Sequence, residues 1–72
     1  MARYVFDYSK LIGRIYEVLG SRKKFAESMG MSEATLSLKL SSKSYFNQKE
    51  IEKAVGILNI NRGMITAYFF TI

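Results

Sequence analysis

Apolar positions recur at helical spacing in several stretches of this chain, separated by glycine and polar breaks. Leu11, Ile15 and Leu19 form one stripe, flanked by Ile12 and Tyr16. They predict a first helix from about Tyr8 to Leu19, with Asp7 as its N-cap and Gly20 as its end. Ser21 then caps a second helix, Arg22 to Met29, whose Phe25, Ala26 and Met29 face inward. A third helix runs from Ser32 to about Leu40, with Leu36 and Leu40 four residues apart on one face. After a polar loop, Ser41 to Phe46, Asn47 and Glu50 stand three apart in a capping-box pattern. They open a fourth helix with the stripe Ile51, Ala54, Val55 and Leu58, ending near Asn59. Met64, Ile65 and Tyr68 outline a short fifth helix between Arg62 and Tyr68. No stretch demands a strand, so the predicted class is all-α.

The run Arg22 to Leu40, RKKFAESMGMSEATLSLKL, has further order. Ala26 is small, so a crossing helix can approach it closely. Gly30 tolerates the left-handed backbone that ends a helix. Met31 is expected to be buried at the corner, and Ser32 to accept a hydrogen bond from the helix it opens. This is the spacing of a helix-turn-helix, whose second helix lies in the DNA major groove. It also fits an ordinary helical hairpin with a glycine turn. The chain ends in Tyr68-Phe69-Phe70-Thr71-Ile72, although termini are usually polar. Those aromatics either fold back over the helices, against Tyr4 and Phe6, or form a protein interface.

Seventy-two residues suffice for a single small domain with a modest core. Cysteine and histidine are both absent. That removes disulfides, thiolate metal sites, the commonest metal ligand and the commonest general base. Neither an enzyme nor a bound cofactor is expected. No apolar run approaches the ~18 residues of a membrane span, and no targeting segment is recognisable. A cytoplasmic location is therefore expected.

Charge sharpens the picture by its placement. The net charge is +5, and the segment Ser21 to Lys49 holds six cations against two acids. A polyanion is the simplest partner, nucleic acid above all, although a solvated basic face has the same composition. Arg22, Lys23 and Lys24 fill the first turn of the second helix, where cations oppose the helix dipole. A DNA phosphate at that point would reverse the sign of the interaction.

If the third helix enters a major groove, the candidates for base contact are Ser32, Glu33, Ala34, Thr35, Ser37, Leu38 and Lys39. Arg22, Lys23, Lys24, Ser41, Ser42, Lys43 and Lys49 would hold the phosphates. This reading surface is thin. It has no Arg, Asn or Gln for bidentate base recognition, and Glu33 repels phosphate. Leu38, expected outside, suits a thymine methyl or an apolar protein surface equally well. Glu33, Leu38 and Lys39 are accordingly also candidates for a partner-protein interface. A weak homodimer on a two-fold site, or help from another protein, is expected.

These residues carry a resemblance. RKKFAESMGMSEATLSLKL resembles the helix-turn-helix of the Cro and lysogeny-repressor family of temperate phages. FDYSKLIGRIYEVLG, SLKLSSKSYFNQKEIEKAVGIL and ITAYFF extend it over nearly the whole chain, toward the small Cro-like regulators of phages of Gram-positive bacteria. The resemblance implies a five-helix, lambda-repressor-like helix-turn-helix DNA-binding domain in the host bacterial cytoplasm. It would bind double-stranded operator DNA and oppose the lysogeny repressor at the lysis–lysogeny switch. For antirepressor members it implies contact with the repressor protein itself. Many relatives carry glutamine where this chain has Arg22, which keeps the phosphate contact. The outward position of Leu38 is often polar in relatives, so direct base reading is weakened and an antirepressor role gains.

Overall fold

The computed structural model describes residues 5–72; Arg3 and Tyr4 lie outside the described residues. Among them the chain is all-helical. The helices are α1 (Ser9–Leu19), α2 (Arg22–Met29), α3 (Glu33–Leu40), α4 (Gln48–Ile57) and α5 (Ile65–Phe69). A single 3₁₀ turn, Arg62–Met64, leads into α5.

The breaks follow local chemistry. Gly30 turns the chain at φ +74°, and Met31 N–H reaches back to the Ala26 carbonyl at 3.0 Å while Gly30 N–H reaches Glu27. This is the doubly bonded C-terminal motif that a left-handed residue permits. The same motif ends α4 at Asn59, φ +50°, with Ile60 N–H on the Val55 carbonyl at 3.0 Å. Ser21 and Ser32 accept from Lys24 N–H and Thr35 N–H, at 3.2 and 3.1 Å. Asn47 and Glu50 complete the capping box, at 2.8 and 2.9 Å.

Two expectations shift at the first helix. Its first residue is Ser9 rather than Tyr8, and Tyr8 occupies the N-cap position with no side-chain bond. Asp7 still serves this end, accepting from Ser9 N–H at 2.9 Å and from the Ser9 hydroxyl. Tyr8 is 4 % exposed because its ring is drawn into the core beside Phe46.

The helices share one core, in which Leu11, Ile15, Phe25, Leu36, Leu58 and Phe69 are fully buried. α2 touches α1, α3 and α4, and α5 leans on α1. Met31 and Leu40 pack against this core only in part, since each ends a short helix or turn at the surface. The aromatic terminus divides. Phe69 is buried against Phe46, ring centroids 5.5 Å apart, whereas Phe70 is half-exposed and packs edge-on against Phe6 at 5.8 Å.

Two basic side chains reach terminal carbonyls of α2 and α4 to which the local motifs give no partner. Lys53 donates to the Met29 carbonyl at 3.4 Å, at the C-terminus of α2. Arg14 donates through Nε to the Leu58 carbonyl at 2.9 Å, at the C-terminus of α4. Cations placed at the negative ends of helices satisfy free carbonyls and favour the dipole.

Gly30→Ala should lower stability by about 1 kcal/mol in chemical denaturation. A Cβ there would meet only Lys53 Nζ, at 3.8 Å, so the cost is that of the left-handed backbone and not of a clash. Asn47→Ala should cost about 1 kcal/mol by loss of the cap.

Candidate partner-binding face

α3 packs on α2 through Leu36 and presents its other side to solvent. Leu36 is 1 % exposed, whereas Ser32, Glu33, Ala34, Thr35, Ser37 and Leu38 are all exposed. Leu38 is 47 % exposed, a large apolar group on an otherwise polar face. Ser32 and Thr35 are partly committed to each other: the Ser32 hydroxyl donates to Thr35 Oγ1 at 3.0 Å besides capping the helix. At the other end the Ser41 hydroxyl donates to the Leu38 carbonyl. Arg22, Lys23 and Lys24 stand exposed on the first turn of α2, and Lys43 and Lys49 are exposed beyond α3.

Lys39 departs from expectation. As a base contact or partner contact it was expected outside, yet it is 8 % exposed. Its ammonium donates to the Tyr45 carbonyl at 3.0 Å and pairs with Glu50 Oε1 at 3.0 Å, 5.9 Å from the Phe46 ring centroid. Lys39 stands three residues after Leu36, hence on the same side of the helix. Its stem therefore runs over the core, and its charge meets the carboxylate of the α4 capping box. The spacing was a readable signal for the direction; the acid that receives the charge comes from another element.

Glu50 is the centre of this junction. Burial works against its ionisation, but the Asn47 N–H and the Lys39 ammonium outweigh it and hold the carboxyl below its ordinary value.

Ser42 is the second correction. It was expected to touch phosphate, but it is 2 % exposed. Its backbone is left-handed, φ +63°, which ends α3 and turns the hydroxyl inward. There it accepts from Phe6 N–H at 2.9 Å, so it holds the segment that precedes α1.

The expected face is thus brought together in part. Glu33, Ala34, Thr35, Ser37 and Leu38 share it, without a basic side chain from α3, and the cations sit on neighbouring elements. Tyr45 was missed by sequence reasoning. It lies 39 % exposed, its ring edge-on to Phe6 at 5.6 Å. A tyrosine in a polar loop gives no periodic signal. Among the described residues no three acidic, histidine or cysteine side chains gather to hold a metal, and no helix is long and apolar enough to cross a membrane.

A small all-helical domain with a solvent-facing short helix, backed by a partly buried ion pair, is the class that this arrangement defines. The chain belongs to the family described as "Protein of unknown function (DUF739)", whose model matches residues 4–72. It is similar to the modulator of repression (MOR) of the temperate bacteriophage TP901-1 from Lactococcus lactis, known from a solution structure. The two are 47% identical and superpose with a TM-score of 0.80, over 92% of this chain and 89% of that one. No curated protein matches the chain.

Lys39→Met keeps the aliphatic stem but takes the ammonium away from the Tyr45 carbonyl and leaves the Glu50 carboxylate with only the Asn47 N–H. It should lower stability by about 2 kcal/mol in urea or thermal unfolding. Because the folded-state Glu50 carboxyl is depressed, its contribution is complete above the ordinary carboxylate range and is lost as pH falls through the folded value. Glu50→Gln should therefore flatten the acid limb of a stability–pH curve, and an unchanged limb would show that the pair contributes nothing.

Proposed function

We propose that this protein is a regulator of the lysis–lysogeny switch of a temperate phage, opposing the lysogeny repressor chiefly by binding the repressor itself. Residues 22–40 are its helix-turn-helix unit. The observation that carries this reading is the α3 face: Leu38 half-exposed, Glu33 beside the N-cap, and Lys39 turned inward. A helix meant to lie among bases and phosphates gains from outward cations and amides, and this one offers neither. An apolar group ringed by small polar side chains and one acid suits a protein surface instead, particularly a basic DNA-reading surface such as a repressor must carry. The similarity to a modulator of repression supports the same conclusion. By covering the repressor's reading surface, the protein would release the operator without competing for it.

A second reading is Cro-like binding to operator DNA. It is favoured by Arg22, Lys23 and Lys24, exposed together at the N-terminus of α2. Phosphate contacts made there would be sequence-independent, so affinity from one copy would be weak and a dimer or the repressor would have to add specificity.

A gel shift on the switch-region DNA of the phage, at two salt concentrations, with and without its repressor, separates the two. On the first reading the protein alone shifts DNA weakly and abolishes the repressor's shift, and Leu38→Ser restores that shift. Strong, steeply salt-dependent binding by the protein alone, lost in Arg22→Ala/Lys23→Ala, would make DNA the primary partner. Intact repressor–DNA complexes at saturating protein would end the first reading.

A further inference from the structure

Among the described residues four helices are closed by a residue with left-handed backbone, and one of the four is out of character. Gly20 closes α1 at φ +83° and Gly30 closes α2 at φ +74°. Asn59 closes α4 at φ +50°. Glycine adopts this conformation freely, and asparagine adopts it more readily than most residues. α3 is closed by Ser42, φ +63°, which has neither advantage. Its turn is the same doubly bonded motif: Lys43 N–H reaches the Leu38 carbonyl at 3.0 Å, and Ser42 N–H reaches the Lys39 carbonyl at 3.2 Å. Glycine would make that turn without strain. A strained residue at such a position points to a task for its side chain.

That task is visible in the bonds the side chain makes. The buried Ser42 hydroxyl accepts from Phe6 N–H at 2.9 Å and donates, at a long 3.5 Å, to the Phe6 carbonyl. One hydroxyl thus grips both backbone polar groups of a residue 36 positions away. Glycine could not do this. Segment 5–7 is seated from its other side as well. Asp7 N–H donates to the Thr71 carbonyl at 2.6 Å, and the Phe6 ring packs edge-on against Phe70 at 5.8 Å. The closing turn of α3 is therefore tied, through Ser42, to a segment that the C-terminal tail holds in place.

What this tie steadies is Leu38. Its carbonyl is the point on which the loop after α3 closes, accepting from the Ser41 hydroxyl, Lys43 N–H and Ser44 N–H at 3.0, 3.0 and 3.2 Å. The Leu38 side chain is half-exposed, so the backbone behind it has to fix its place. α3 has only eight residues, and the last turn of so short a helix frays unless it is held. Lys39 holds the inner side of that turn through the Tyr45 carbonyl, so the fold does not rest on Ser42 alone. We infer that Ser42 is a positioning residue of the partner-binding face: its hydroxyl couples the closing turn of α3 to segment 5–7 and so presents Leu38 to the repressor in one fixed pose. This rests on the repressor reading above and adds the residue that sets the shape of the face. A contact fixed in advance loses less freedom on binding and binds more tightly. Without the hydroxyl the chemistry of the face is unchanged, but Leu38 moves with a loosened turn.

Ser42→Gly and Ser42→Ala separate the side chain from the backbone. Both remove the hydroxyl, but glycine relaxes the left-handed position whereas alanine keeps its strain. The measurements are titration calorimetry of the full chain with the purified repressor of the same phage, thermal melts by circular dichroism, and amide hydrogen exchange by NMR. Leu38→Ser is the reference for the face. The expected result is a melting temperature near that of wild type for S42G and a lower one for S42A. Both variants should bind the repressor about fivefold more weakly, and their Lys43 and Ser44 amides should exchange about tenfold faster. Weaker binding in S42A alone, following its lower melting temperature, would give Ser42 a purely structural role and overturn the proposal. Wild-type affinity or unchanged Lys43 and Ser44 exchange in S42G, with L38S still impaired, also overturns it and leaves the repressor reading standing. Absence of any complex with wild type overturns both.

Discussion

Phe25 and Ala26, exposed by 0% and 1%, lie on the one helix that α1, α3 and α4 all touch. A chain of 72 residues has little surface to bury, and its helices of 5 to 11 residues are too short to hold in water unaided. Each must borrow its stability from packing, and α2 is where the packing converges. An alanine lets a neighbouring backbone come close, and a phenylalanine fills the space that remains. The placement of α3 on the surface follows from this: its buried side is spent on α2 and, through Lys39, on the start of α4, and the rest of it faces out.

Short helices also leave many free backbone groups, and their satisfaction organises the periphery. Serine and asparagine side chains close the N-termini of α2, α3 and α4. The C-termini are closed by left-handed residues and by two cations that arrive from distant elements, Lys53 and Arg14. Part of the positive charge that suggests a polyanion partner is therefore consumed inside the fold. Lys39 is the clearest instance, since its ammonium serves α4 and the Tyr45 loop. Arg62 is neutralised at the surface instead, in a two-point ion pair with Glu52. What stays outward on α3 is small, polar, acidic at one end and apolar at Leu38. That distribution moves the functional reading from DNA toward a protein partner.

The helices and their ends were legible in the sequence because the signals are local. Apolar spacing, Ser21, Ser32, the Asn47–Glu50 pair and Gly30 each act within four residues, and each appears where expected. Membership of a phage-regulator family was legible too, from runs such as SLKL and AYFF, and the likeness to a modulator of repression agrees with it. Along α3, Glu33, Ala34, Thr35, Ser37 and Leu38 were placed on the correct side by period alone.

What the sequence by itself determined, then, is the number of helices, the caps that open α2, α3 and α4, and which stripe of each turns inward. Only the tertiary structure decided the direction of Lys39, the burial of Ser42, the exposure of Tyr45 and the parting of Phe69 from Phe70. The physical reason is range. Caps and periodicity are settled by neighbours within one helical turn. The fate of a long charged side chain, or of a terminal aromatic, depends on which acid, carbonyl or ring a distant element brings within a few ångströms, and that is known only once the helices have packed.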